Sequence, residues 1–341
     1  MKVRTSLAFF FTGFLLCLVT QAQSPKPQVH PKMYFSDISR IGKPFAKDPS
    51  VIKFKGSYWM YYSIPASTPA SPGDGPGGTG WGIGVARSSD LIHWKKVGEV
   101  QPVEEIEKAG IAAPGARVID GKVHLFYQTY GKGKLDSICH AVSSDAAHFK
   151  HDPSNPIYRP ADAKWSAGRA IDAEVYPHGK ELWLFFATRD PEMQVQQIGL
   201  ASAPLTSDFS RGKWHTVSLD GPTLKPEVPW EGKCVEAPSV MKHGGLYYLF
   251  YAGNYNNAPQ QIGVATSKDG KIWTRIRDHP LLRNGAPGTW NSSESGHPGV
   301  FTDDNGKTYL FYQGNDDGGK TWFVSMLEIR WHGEEPYLVA P

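Results

Sequence analysis

Five stretches of the chain repeat one pattern, and this repetition limits the fold more than any other feature of the sequence. They read KDPSVIKFKGSYWMYYS (47–63), AAPGARVIDGKVHLFYQTY (112–130), IDAEVYPHGKELWLFFA (171–187), VEAPSVMKHGGLYYLFYAG (235–253) and GHPGVFTDDNGKTYLFYQG (296–314). Each has a short apolar lead-in, a turn with glycine and an aromatic-rich run, which together predict a β-hairpin. Four are followed by a second shared unit, at 83–97, 138–152, 198–214 and 262–276, and WFVSMLEIRW (322–331) is its variant after the fifth. That unit supplies a third and a fourth strand. A single such sheet cannot bury both faces, but a closed ring of them can. The expected fold is all-β: a five-bladed β-propeller with four antiparallel strands per blade. A β-sandwich with coincidental similarity is the alternative, and the regularity argues against it. The 36 Gly, 27 Pro and 11 Trp suit strands and turns better than long helices.

One position in the lead-in varies. Counted seven to nine residues before the turn glycines Gly56, Gly121, Gly179, Gly244 and Gly306, it holds Asp48, Ala113, Asp172, Glu236 and His297. In a propeller the starts of the inner strands gather at one mouth of the central channel. Three carboxylates and an imidazole are therefore expected to face one pocket. Taken singly, each has an ordinary explanation: Asp48 before Pro49 opens a turn, Asp172 pairs with Arg169, Glu236 caps a strand, His297 sits in a turn. The shared register joins them. Hydrolysis of a glycosidic bond needs one carboxylic acid to protonate the leaving oxygen and a second carboxylate as base or nucleophile. A third acid raises its neighbour's pKa by like-charge repulsion. Asp48, Asp172 and Glu236 supply these groups, and the surrounding aromatics suit sugar rings.

With these residues placed, the sequence resembles glycoside hydrolase family 43 and its five-bladed relatives over essentially the whole region after the leader. The likeness rests on KDPSV, IAAPGA, AIDAEVY, VEAPSV and SGHPGVF, taken in order and in blade phase. The resemblance implies that Asp48 is the general base, Asp172 the residue tuning the acid, and Glu236 the general acid, acting with inversion. It implies that His297 lies at the channel axis, where some members hold calcium; no other cofactor is required. Implied substrates are arabinofuranosides, xylosides or galactosides of plant oligo- and polysaccharides. Two features depart from the family. Blade three reads Asp-Ala-Glu, so Glu174 is an extra acid, expected on the same strand face as Asp172 as a sugar ligand or a partner for Arg169. The Arg189-Asp190-Pro191 run resembles a signature of retaining fructosidases but follows the second strand, and is read as loop.

Several segments are expected to wall the pocket. The Pro/Gly/Ser-rich insertion 64–82 reads as a surface loop or lid ending at Trp81, a candidate sugar platform. Asn254, Asn256, Asn257, Gln260 and Gln261 offer amides for hydroxyl recognition. Trp290 and Glu294 approach the mouth ahead of His297, Glu294 as a sugar or metal ligand. Arg169 is a candidate substrate clamp, and Arg117 is read as structural.

Residues 1–22 have the basic start, apolar run and small residues of a secretory signal peptide, so a secreted or periplasmic protein without a membrane anchor is expected. Residues 23–43 form an N-terminal segment, and 44–341 the propeller. The formal charge is +3, and with Lys2 and Arg4 removed the remainder is near +1, which gives no reason to expect nucleic acid as a partner. Cys139 and Cys234 read as buried free thiols rather than a disulfide. Two other enzymes fit the same pattern, a retaining fructosidase-like hydrolase and a glycoside phosphorylase. The latter would draw on Arg169, Arg189 and Lys47. A non-catalytic carbohydrate-binding propeller is the reading from another class, and the complete set of acids argues against it.

Overall fold

A computed structural model describes Met1, residues 30–66 and residues 80–340. The expected leader, Met1 apart, and most of the first-blade insertion lie outside the described residues. Five antiparallel sheets follow one another along the chain, as the repeats predict. Blade one consists of Lys47–Phe54, Ser57–Ile64, Gly82–Ser88 and Lys95–Val100. Blade two is Ile111–Ile119, Lys122–Thr129, Ile138–Ser143 and Lys150–His151; blade three is Ile171–His178, Glu181–Arg189, Gln196–Pro204 and His215–Thr216. Blade four is Val235–His243, Leu246–Gly253, Gln261–Ser267 and Thr274–Arg275. Blade five has Glu294–Thr302, Thr308–Asn315 and Phe323–His332.

Two distant segments complete the outer edge of blade five. Tyr34–Phe35 pairs with Val324 and Ser325, and Glu335–Val339 pairs with the other half of the same strand. Residues 34–35 have no place in the repeat pattern, because two residues are too short to show a period. They nonetheless tie the start of the propeller to its last blade.

The second strands explain the aromatic runs. Successive side chains of a strand point to opposite faces, and both faces of each blade are covered by neighbours. Trp59 and Tyr61 pack against blade two, while Met60 and Tyr62 pack against blade five. Five apolar clusters result, one at each junction between blades. The recurrent Ile-Gly of the third strands follows from the same packing. A Cβ on Gly84 would lie 2.3 Å from the Tyr62 ring, and one on Gly263 would lie 2.5 Å from that of Tyr251. Cys139 and Cys234 are buried and free, and no helix among the described residues is long and apolar enough to cross a membrane.

Candidate active site at the channel mouth

All five inner strands slip register at the same place, between Lys47 and Ser50, Ala112 and Gly115, Ile171 and Glu174, Glu236 and Ser239, and Gly296 and Gly299. The residue after the first of each pair has left-handed backbone: Asp48 (φ 53°), Ala113 (47°), Asp172 (52°), Ala237 (50°) and His297 (46°). These are β-bulges, which re-aim side chains at the cost of local strain.

The bulges correct one reading of the repeat. Asp48, Asp172 and His297 are equivalent, but the blade-four equivalent is Ala237. Glu236 stands one residue earlier, in line with Lys47 of blade one. Counting from the turn glycine concealed this, because glycine takes the second turn position after Phe54 and the first after His243. In a flat strand that one-residue step would turn Glu236 away from the aspartates. At the bulge both residues reach the pocket, and Lys47, Asp48, Asp172, Glu236 and His297 all line one cavity of about 320 Å³.

Neighbouring blades hold the strained residues in place. The Asp48 N–H donates to Gln313 Oε1 (2.9 Å), the Ala113 N–H to Ser63 Oγ (2.8 Å) and the Asp172 N–H to Gln128 Oε1 (2.8 Å). In blade four the Ala237 N–H donates to Asp172 Oδ2 (3.2 Å), which orients that carboxylate beside Glu236. Two glutamines bracket Glu236. Gln260 Nε2 donates to Oε1 at 2.6 Å, and Gln196 Nε2 donates to Oε2.

Electrostatics separates the three acids. Burial would raise all of them. At Asp48, His297 and Lys47 reverse the effect and hold the carboxyl far below the usual range. His297 Nδ1 lies 3.0 Å from Asp48 Oδ1. Burial would favour the neutral ring, but Asp48 keeps the imidazole pKa above its ordinary value. Burial and the charge of Asp48 push Asp172 up, against His297 and Arg169. Burial and Asp172 push Glu236 up to about 7. The pocket therefore pairs an aspartate held far below the usual carboxyl range with a glutamate pushed up to about 7.

Other expected site residues divide. Trp81 lines the pocket and packs 5.0 Å from Tyr130, another lining residue. Arg169 lines it too, but it does not pair with Asp172 or Glu174. Its Nη1 donates to Gln196 Oε1 (3.1 Å), and the carboxylate by its Nε is Asp136, at 3.6 Å. Glu174 is not on the pocket face. Past the bulge it turns down the channel and accepts the Val240 N–H at 3.1 Å, with Arg117 moderating a pKa that burial pushes up to about 7. Glu294 is fully buried behind the pocket, bound to Gln313 Nε2 (2.7 Å) and the Asn257 N–H (2.6 Å). Trp290 is 4% exposed and belongs to the core between blades four and five. Asn254 braces its own loop through the Tyr255 N–H and the Ala258 carbonyl. All three are expected nearer the sugar; interior contacts claim Glu294 and Trp290, and the half-buried Asn254 is engaged by its own loop. His297 turns its Nδ1 to Asp48, which leaves Nε2 as the ring atom that could meet a ligand. Among the described residues no three His, Cys, Asp or Glu groups are arranged to hold an ion.

Arg189, read from sequence as loop, ends the second strand of blade three and faces the pocket with Gln196 and Tyr255. Gln260, expected to bind sugar hydroxyls, donates to Glu236 instead; Gln128, Gln196 and Gln313 carry no sequence expectation, although sequence signals mark them. Gln128 and Gln313 each end a copy of LFYQ, and Gln196 and Gln260 each begin a copy of QQIG.

Fold and site together define a five-bladed β-propeller with three carboxyls and an imidazole at one mouth of its channel. The model of glycosyl hydrolases family 43 matches residues 40–332, and the chain belongs to that family. Xylosidase/arabinosidase 43A of Humicola insolens is 28% identical over 118 residues, which span 31% of this chain and 33% of that protein, about a third of its length. Among solved structures, a thermostable family-43 glycoside hydrolase superposes with a TM-score of 0.67 at 20% identity, covering 87% of this chain and 93% of that one. An α-L-arabinofuranosidase from Lactobacillus brevis gives 0.67 at 16% identity, covering 92% and 97%. At such identities the superpositions speak to the fold.

Proposed function

We propose that the protein is a secreted glycosidase that removes terminal arabinofuranosyl, xylosyl or galactosyl units from plant-type oligo- or polysaccharides with inversion. The observation that carries this reading is the opposite treatment of two carboxyls in one pocket. Asp48 stays ionised and takes a proton from the attacking water. Glu236 keeps its proton until the glycosidic oxygen leaves. Asp172 raises the Glu236 pKa and is oriented by the Ala237 N–H. His297 holds Asp48 anionic and in position. The arabinoside and xyloside choice draws on the names of the relatives, and the apolar run of residues 7–19 supports export.

The test is release of monosaccharide from a panel of arabinofuranosides, xylosides, galactosides and fructosides, with Glu236→Gln beside the wild type. Release that falls by roughly 10²–10⁴-fold in the variant supports Glu236 as acid. Optical rotation or NMR of the first product anomer decides inversion. Binding without release from any substrate would favour the carbohydrate-binding propeller.

A further inference from the structure

We infer that Arg189 and Arg169 form an oxyanion subsite on the acid's side of the pocket, and that it takes the carboxylate of a uronic acid residue in the substrate. The inference rests on the catalytic reading above for which side the leaving group occupies. Two guanidinium groups converge there on one neutral atom: Arg189 Nε donates to Gln196 Oε1 at 3.0 Å, and Arg169 Nη1 donates to the same oxygen at 3.1 Å. An amide oxygen satisfies hydrogen bonds but carries no compensating charge. Arg189's remaining partners are also neutral, the Met193 carbonyl at 3.4 Å and the ring of Tyr255 at 5.2 Å. Among the described residues Arg189 has no carboxylate partner. Arg169 has Asp136 at 3.6 Å, beyond a good hydrogen bond, and its buried Nε has no hydrogen-bond acceptor.

A half-buried guanidinium with no carboxylate bonded to it, as at Arg189, is costly unless a ligand uses it. A planar fork of donors matches a carboxylate, and arginine is suited to such recognition. Position assigns the anion to the leaving group. Gln196 bridges the arginines to Glu236, so they sit on the side where the acid meets the departing oxygen. Water attacks from the opposite face, at Asp48. A phosphate acting as nucleophile would need its cations beside Asp48. The positive groups beside Asp48, His297 at 3.0 Å and Lys47, already act on the charge of Asp48 itself.

The experiment measures binding by calorimetry to the Glu236→Gln protein, which does not turn substrate over on the reading above. The ligands are a glucuronate-bearing disaccharide and its carboxyl-reduced counterpart. The uronate is expected to bind ~10-fold or more tightly. Adding Arg189→Met should bring the ratio of the two affinities close to one, and adding Arg169→Gln should lower it as well. Arg189→Lys, which keeps the charge but loses the fork, should restore part of it. Equal affinities in the parent protein would overturn the subsite. So would a ratio that survives both substitutions, or losses that are equal for the two ligands, which would reduce the arginines to supports for Gln196. Sugar 1-phosphate formed by the wild type only when inorganic phosphate is added, and lost in Arg189→Met, would also overturn it by making phosphate the ligand. A uronate preference in a protein that cleaves nothing would leave the subsite standing and remove the catalytic reading instead.

Discussion

His297 Nδ1 lies 3.0 Å from Asp48 Oδ1, across the seam where blade five meets blade one. Each residue occupies a bulge with left-handed backbone, so the contact joins two strained positions. It also sets both charges, holding the aspartate down and the imidazole up.

That pair should make stability depend on pH in a defined window. A depressed carboxyl stabilises above its unfolded pKa of ~4 and loses the effect as pH falls through its native value. A raised imidazole stabilises below its unfolded pKa of ~6.5 and loses the effect as pH rises through its native value. Both contributions are present together between about pH 4 and pH 6.5. The Tm difference between wild type and Asp48→Asn should be largest there. A difference that is flat from pH 4 to 9 would rule out the coupling.

The acid should show itself in the rate profile. Glu236, pushed up to about 7, sets the alkaline limb of kcat/KM near neutrality. Asp172→Asn removes a like charge, so this limb should move to lower pH while kcat falls. An unmoved limb in the Asn variant would assign the raised pKa to burial alone.

The glutamine bracket should act in the opposite sense. Gln260 donates to Glu236 Oε1, and a donor favours the charged carboxylate. Gln260→Leu should therefore move the alkaline limb to higher pH, and Gln196→Leu should do the same at Oε2. A downward shift in either variant would contradict the bracket.

Packing around the channel gives a test away from the chemistry. A Cβ on Gly115 would lie 2.0 Å from the Ala173 carbonyl oxygen, and backbone on both sides leaves little room to yield. Gly115→Ala should destabilise the protein by roughly 1–3 kcal/mol in urea unfolding. A loss below ~0.5 kcal/mol would mean that the blades part more easily than this spacing suggests.

The fold was legible because burial on both blade faces forces a pattern that no other arrangement needs so regularly. Asp48, Asp172 and His297 were legible because they share one bulge. Glu236 stands one residue out of line with the aspartates, because turn glycines mark hairpins less firmly than the bulges mark the channel. Trp290 and Glu294 show the limit of proximity in sequence: each lies within seven residues of His297, yet the interior takes them. Arg189 was read as loop because strand ends have no periodicity to announce them. The paired LFYQ and QQIG copies were there to be read, and they lead to the amides that hold the acids.

The two-residue strand at Tyr34–Phe35 also has a consequence for how the protein is made. Its binding partners lie far along the chain: the Ser325 hydroxyl donates to the Met33 carbonyl across 292 residues. During synthesis this strand emerges first and waits until four blades and most of the fifth have been translated. Contacts between such distant residues form slowly, because their loop entropy is lost before the pairing repays it. The seam between blades five and one, where Asp48 meets His297, is therefore expected to close last. A growing or truncated chain lacks that contact, so the site is assembled only in the finished ring.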